Sequence, residues 1–599
     1  MGVVAPPPYD LKPALNTLAG QIVTSVEINA LSSPVEITAR IKAAIDANPG
    51  GIIQLPPMPL SIGVLPENLI GTNEGLAFKL VSGAYTTIRG VPGLTRLAPV
   101  SNRIEMFAQV GAESVSFVDL TFDNSQNGAL QNEVKGVSSG PGTGVAGNGN
   151  TACCAVRQYL GAGLSFRNVE FRDFTTHVEY LGDYTDISKK SGTIQMDGVR
   201  FVRGVFGLLA AQPQSILLDD IKAADMVDAQ NGSGSATVND PGHALYVTNR
   251  SGAVPDFIRA TNVTGLNNSS STLKIRKGDR VEMSSVQTKG GARGVEAWNC
   301  ASVIVSGVNV SLGASIDSNQ CGIELTDCGH YAVSDCEVDV RGSASAWGIR
   351  LRKADSAVQE WTNRYGTITD CQVIVSNVGG GRAALIASDQ DDLTISGFQQ
   401  THTGTAVGDR YPIDLRNCNN ATVINPKHIA TDGAADGYKL VSIDVTCTNT
   451  RVLYSLASVS GALTTNTISD AGTGTVISRV GSMPTGSLAA PAFAFDAEPT
   501  TGFWRPGASQ LGVAINTFDA VRFYGNRMEV GYTIKPMADG GGDLGDAATR
   551  WNNAYIRNLI LSNAVTYASE AAAAAAGLVS GRVYKTSDGA GGFNLKLKA

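Results

Sequence analysis

The sequence predicts an all-β chain: a right-handed, single-stranded parallel β-helix with an N-terminal cap helix and a β-rich C-terminal region. Three observations carry that prediction. A four-residue pattern recurs in ten copies, and a second strand precedes most copies at a nearly fixed distance. The composition suits short strands joined by tight turns, with 68 glycines, 6% aromatic and 17% charged residues. At 599 residues the chain is too long for one ordinary core, so it divides into domains or grows by stacking repeats.

The repeat begins with a small or acidic residue, followed by an apolar, a variable, and an apolar or small one. Its copies begin at Asp119, Asn168, Gly198, Asp220, Asn262, Ser285, Gly307, Asp335, Asp370 and Gly397. The shortest spacings are 22 residues (198 to 220, 285 to 307) and 23 (262 to 285), the span of one β-helical turn. Longer intervals hold inserted loops. A β-sandwich also alternates, but it does not hold one register over ten copies.

The second strand reads Leu245-Tyr246-Val247, Leu273-Lys274-Ile275, Val295-Glu296-Ala297, Ile323-Glu324-Leu325, Ile349-Arg350-Leu351 and Ile413-Asp414-Leu415. Strand residues alternate between faces, so the apolar flanks point into the coil and the central residue points out. Asn249, Asn299, Asp327 or Asn417 follows at a recurring corner, where such side chains bond turn groups and stack between rungs.

Near the N-terminus, Ser33-Pro34-Val35-Glu36 is a capping box with proline at the first helical position, opening a helix over Ile37–Ala47. Ile37, Ile41 and Ile45 share one face of it. The following Gly50–Pro57 stretch reads as turn, strand, turn. A helix placed there plugs the open end of the coil and hides its unpaired edges.

These N-terminal residues resemble the start of pectate-lyase-like β-helix proteins. The match is Arg40-Ile41-Lys42-Ala43-Ala44-Ile45-Asp46-Ala47 with Gly50–Pro56, echoed by Thr87-Ile88-Arg89-Gly90 and Gly93-Leu94-Thr95-Arg96-Leu97. Ser32-Ser33-Pro34 stands where that family has an acidic stretch. The resemblance implies the fold over residues 25–455 and leaves the reaction open. The C-terminal part looks like phage tail-fibre repeats, through Thr501-Gly502-Phe503-Trp504-Arg505, Leu511-Gly512-Val513 and Asp543-Leu544-Gly545-Asp546 to Arg550-Trp551-Asn552-Asn553-Ala554-Tyr555. Gly577–Thr586 is similar to the closing segment of such proteins. This second resemblance implies a spike or fibre of a virion tail, attached through its N-terminus to other tail proteins and gripping a host surface glycan. The expected organisation is a virion-attachment arm (1–30), cap helix and first turns (31–110), β-helix (111–480) and trimerisation or tip region (481–599). Strands in that last region are too poor in apolar residues for a core of their own, so a parallel homotrimer is expected.

Other classes are disfavoured. A net charge of −7 argues against nucleic acid, and no apolar run approaches a membrane span, so no membrane insertion is expected. Met1–Tyr9 lacks the basic start of a secretory signal. The nine cysteines are odd in number and read as buried thiols made in a reducing cytoplasm. Cys300, Cys328 and Cys418 share one repeat position, as do Cys336 and Cys371, without zinc-site spacing. No cofactor and no metal is expected. Asp389, Asp391 and Asp392 fit an acidic turn better than a calcium site, Asp219 and Asp220 are read as structural, and His243 as a surface histidine.

The outward residues of the second strand give the candidate site. In rung order they are Tyr246, Lys274, Glu296, Glu324, Arg350 and Asp414, with an irregular rung near Leu385. Two positions on come Thr248, Arg276, Trp298, Thr326, Arg352 and Arg416. Glu296 and Glu324, about one rung or 4.8 Å apart, have the spacing of the carboxylate pair of a glycoside hydrolase. Their mutual repulsion is expected to raise one pKa toward neutrality. Tyr246, Lys274, Arg276, Trp298, Arg350 and Arg352 are the expected substrate-binding residues, aromatics for sugar faces and cations for an acidic glycan. A solvated charge ladder, or a face shared between subunits, fits the same residues. Hydrolysis, elimination and binding without catalysis all remain open, and so does an exported bacterial polysaccharide lyase or hydrolase.

Overall fold

A computed structural model describes residues 23–28, 32–71, 74–81, 86–101, 104–110, 114–127, 154–182, 190–226, 243–248, 255–313, 320–341, 346–353, 364–376, 384–403, 412–430, 440–455, 459–460, 468–480, 486–495, 498–525, 527–531, 565–580, 582–588, 590 and 593–597. The chain divides into two compact units, Met1–Pro484 and Thr485–Ala599.

The first unit is a right-handed parallel β-helix. Each coil sends one strand to a 15-stranded sheet and the rest of its turn to a 26-stranded sheet. The pairings between coils are parallel, and in register as in Arg280–Ser284 on Ser302–Ser306 on His330–Ser334, with one shift between Lys289 and Gly291. Pairing begins earlier than the sequence reading placed it, at Val23–Ser25 against Ile52–Gln54, and reaches Val476–Val480.

The corner between successive strands explains the repeat. All ten residues that open it have positive φ, from 47° at Asp220 to 65° at Gly397. Glycine carries no Cβ penalty in this left-handed region, and Asn and Asp tolerate it best among the others, so these three types fill nine of the ten corners and Ser285 the tenth. A second corner holds Asn299, Asp327 and Asn417, also at positive φ, while Asn249 lies outside the described residues. Side-chain amides run between rungs: Asn417 donates to Asp389 at 2.6 Å, Asn419 to Asp391 at 2.9 Å and Asn420 to Asp392 at 3.0 Å. The three aspartates are thereby committed to a turn ladder.

The core is a stack of identical positions. In the upstream coils it is aromatic: Phe122 and Phe171 lie 4.9 Å apart, Phe171 and Phe201 5.4 Å, and Phe117 and Phe166 5.3 Å between centroids. Downstream it becomes Met283, Val305, Val333 and Ile368. Six described cysteines, Cys300, Cys328, Cys336, Cys371, Cys418 and Cys447, are free thiols buried in this stack; Cys154 and Cys321 are buried outside it, and Cys153 lies outside the described residues.

The helix Pro34–Ala47 buries Ile37, Ile41 and Ile45 against the first coils. Ser33 Oγ accepts from the Glu36 amide at 3.2 Å, but the Glu36 carboxylate pairs with Arg40 at 2.7 Å, so only half of the capping box forms. Among the described residues no helix is long and apolar enough to cross a membrane. In the second unit, five antiparallel strands between Phe493 and Val530 form one sheet, and Val583–Ser587 pairs with Phe593–Leu597. The alanine run forms the short helix Glu570–Ala575, capped by Ser569. The segment from Asp543 to Tyr555 lies outside the described residues.

Buried histidines make this core acid-sensitive. Burial pushes the pKa of His177 down to about 3 and that of His428 down to about 4. An unfolded histidine titrates near 6.5, so between these values the unfolded chain binds the extra proton. The stabilisation is present above pH 6.5 and is lost at about 1.4 kcal/mol per unit for each ring as pH falls toward 3 for His177 and toward 4 for His428. His177→Phe keeps a ring against both Phe171 and Phe201 and removes the titration. We expect melting temperature to fall less steeply from pH 6.5 to 4 in this variant than in the parent; parallel curves would refute it.

Candidate functional site

The outer face of the 15-stranded sheet brings together all the residues singled out from the sequence. Tyr246, Lys274, Glu296, Glu324 and Arg350 stand in one ladder on consecutive strands, which continues through Ile386 to Asp414. Arg276, Trp298, Thr326 and Arg352 form the next ladder.

Strict alternation does not predict a third ladder, Ser271, Arg293, Cys321 and Trp347. Arg293 precedes Glu296 by three residues, so a period of two sends it inward. It reaches the outer face because two successive residues, Gly294 and Val295, face the core. A Cβ at Gly294 would stand 2.6 Å from the Val310 side chain, and one at Gly322 would stand 2.1 Å from Val338. The visible trace is the recurring triplet Gly-Val-Glu, Gly-Ile-Glu and Gly-Ile-Arg at 294, 322 and 348.

Arg293 ties the two carboxylates together, with Nη1 3.2 Å from Glu296 and 3.9 Å from Glu324. Glu296 also accepts from the Ser271 hydroxyl and pairs with Lys274 Nζ at 3.4 Å. Glu324 accepts from Arg352 Nε at 2.7 Å and Thr326 Oγ1 at 3.2 Å, with Arg350 Nη1 at 3.8 Å. The glutamate side chains are 0% and 1% exposed, whereas these four basic side chains keep 14–19%. The carboxylates therefore form a floor under a cationic cover. Four cations (Lys274, Arg293, Arg350, Arg352) over two carboxylates leave a formal excess of +2. Trp298 stands among cations as well, with Lys274, Arg276 and Arg352 at 5.2, 5.4 and 5.2 Å from its ring centre. Arg350 lies 4.1 Å from the ring centre of Trp347, and Lys274 5.9 Å from that of Tyr246.

Two expectations are corrected here. Stacking does not give Glu296 a near-neutral pKa. Burial by itself pushes it up, but Lys274 and Arg293 outweigh burial and hold the carboxyl down at about 2. His243 is not a surface residue: it is 2% exposed, lies 5.0 Å from the Tyr246 ring, and burial together with Lys274 pushes its pKa down to about 3.

A near-neutral acid does occur upstream on the same face. Arg157 lies between Glu105, at 2.9 Å, and Glu179. Burial pushes Glu105 up to about 7 against the pull of Arg157, and its Oε1 has no hydrogen-bond partner among the described residues. Alternation misses Glu105 as it misses Arg293, since it stands three residues before Ala108, the partner of Arg157 in register.

The fold and this face define a right-handed parallel β-helix with a cationic, aromatic-bearing outer sheet. No family model matches the sequence, and no curated protein does. Among solved structures the chain is similar to tailspike protein 3 of bacteriophage CBA120, at 10% identity and TM-score 0.41, over 83% of this chain and 68% of that one. It is similar to the A-module of the Azotobacter vinelandii mannuronan C-5 epimerase AlgE6, at 12% and 0.34, over 74% and 95%. A third likeness is to PfbA, a surface adhesin of Streptococcus pneumoniae, at 12% and 0.36, over 70% and 92%. Likenesses this distant carry no argument about function.

Proposed function

We propose that this chain is a spike or fibre of a bacteriophage tail, working as a homotrimer that attaches the virion to an acidic surface polysaccharide or lipopolysaccharide. The observation that carries the reading is the cationic cover over Glu296 and Glu324, with Trp298, Trp347 and Tyr246 set among the cations. Anionic groups of a glycan meet excess positive charge, and its sugar faces meet aromatic rings. In this reading Glu296 and Glu324 are positioning residues: they hold Lys274, Arg293, Arg350 and Arg352 spread on one plane. The tail-type C-terminal segments support the virion assignment.

The competing reading is cleavage by Glu296 and Glu324. Their bridging by one guanidinium favours it, whereas a carboxyl held near pH 2 is no proton donor at neutral pH. Incubation of the purified protein with surface polysaccharide of its natural host, read by mass spectrometry, separates the two. Retained binding without oligosaccharide release is the expected result. Release that disappears in Glu296→Gln or Glu324→Gln would establish a depolymerase instead. Arg276→Glu reverses an exposed charge beside Trp298 and is expected to weaken polysaccharide binding by about tenfold, a change of about 1.4 kcal/mol, with the difference shrinking in high salt. Unchanged affinity would remove this face from the binding site.

A further inference from the structure

The 26-stranded sheet carries a polar trough that belongs to neither the core nor the cationic face. It encloses about 230 Å³ across four consecutive coils. One ladder along it is Thr87, Ser116, Ser165 and Gln195, and the next is Arg89, Val118, Arg167 and Asp197. The depression follows from side-chain size. The second rung places both Ser116 and Val118 on the floor, 5% and 4% exposed, where longer side chains would fill the space. Arg89 borders it on one side; Arg167, Gln195 and Asp197, all longer and the last three exposed, border it on the other.

We propose that this trough is a second glycan subsite, taking a short run of sugar residues that bears an anionic group. The proposal deepens the reading of the protein as a glycan-binding spike and rests on it. Serine, threonine and glutamine hydroxyl and amide groups line the trough at the spacing of the rungs, about 4.8 Å, close to the advance per residue of an extended pyranose chain. A periodic ligand thus meets a periodic surface. Asp197 offers two acceptor oxygens to adjacent sugar hydroxyls, and the Val118 floor offers an apolar patch to a ring face. Arg89 and Arg167 against Asp197 leave one positive charge for a carboxylate or similar substituent. Arg89 supplies the further sign of a site: its Nε is buried and has no hydrogen-bond partner among the described residues. A desolvated donor without an acceptor is costly, and a ligand oxygen relieves that cost.

The test uses the full chain with trigalacturonate as the acidic probe and a neutral galactose trisaccharide as its counterpart, followed by saturation-transfer NMR and calorimetry. The paired variant Arg89→Ala with Asp197→Ala is compared with Arg276→Glu, each checked for parental circular dichroism and melting. The expected result is preference for the acidic probe and a loss of about tenfold in the paired variant, with part of the binding surviving in Arg276→Glu. Unchanged binding in the paired variant, or equal binding of the neutral sugar, overturns the subsite. Binding lost only in Arg276→Glu overturns it while the cationic face stands; binding lost only in the paired variant supports it and removes that face.

Discussion

Phe171→Ala is expected to cost about 3–5 kcal/mol, the range for deleting a buried aromatic side chain. The ring is fully buried, with centroids of Phe122 at 4.9 Å, Phe201 at 5.4 Å and Phe166 at 5.5 Å. Collapse into the space is hindered. The backbone on each side is tied into parallel pairing, at Glu170–Arg172 on Arg200–Val202 and on Thr121–Asp123, so the walls cannot close without breaking a ladder. Loss of the stacked contacts adds to loss of burial. A long coil does not unfold in one step, so a single unfolding free energy is the wrong readout. Amide exchange is the right one: protection should fall in the strands carrying Phe122, Phe171 and Phe201 and persist around Val303 and Ile368. Uniform protection along the coil, or no change at all, would refute the stacked-unit account.

The second large effect concerns assembly. Register in the C-terminal sheet places Phe493, Phe503, Val513 and Val521 across from one another, with Leu511, Phe523 and Met528 on the same side. Phe493 is 61% exposed and Met528 54%, and the fully buried apolar residues of this sheet are the small Ala514 and Ala520. One side of the sheet is thus an apolar surface without a core. We propose that copies of the same chain cover it, as the predicted homotrimer requires. Phe503→Asp with Phe523→Asp should convert a particle of three times 62.2 kDa into a monomer in sedimentation, whereas Glu529→Ala on the opposite side should not. A parent protein that sediments as a monomer would refute the trimer.

Much of the fold is legible because its rule is local. A corner that needs positive φ admits few residue types, so Asp119, Asn168, Gly198 and their successors mark the coils from Asp119 to Gly397. Period two then assigns the ladders, and Glu296 falls opposite Glu324 as the spacing predicts. Alternation fails where the backbone turns two successive residues inward. Arg293 and Glu105 lie beyond such breaks, and they decide the charge balance of the face. The protonation of Glu296 was out of reach for the same reason: without Arg293 the ladder shows two carboxylates repelling each other, and with it they share a cation. Burial of His243 is largely tertiary, arising from Phe206 on the neighbouring strand as well as from Tyr246 three residues along its own, and alternation does not report it.

The repeated left-handed corner also sets how such a molecule can change. Since the coils from Asp119 to Gly397 share the same bend and each pairs only with the coils beside it, a coil can be gained or lost there without disturbing the register at either end. Length and reach then vary in fixed steps of one strand spacing, about 4.8 Å. A surface built this way is a ruler whose graduations can be added one at a time while the cap helix stays as it is.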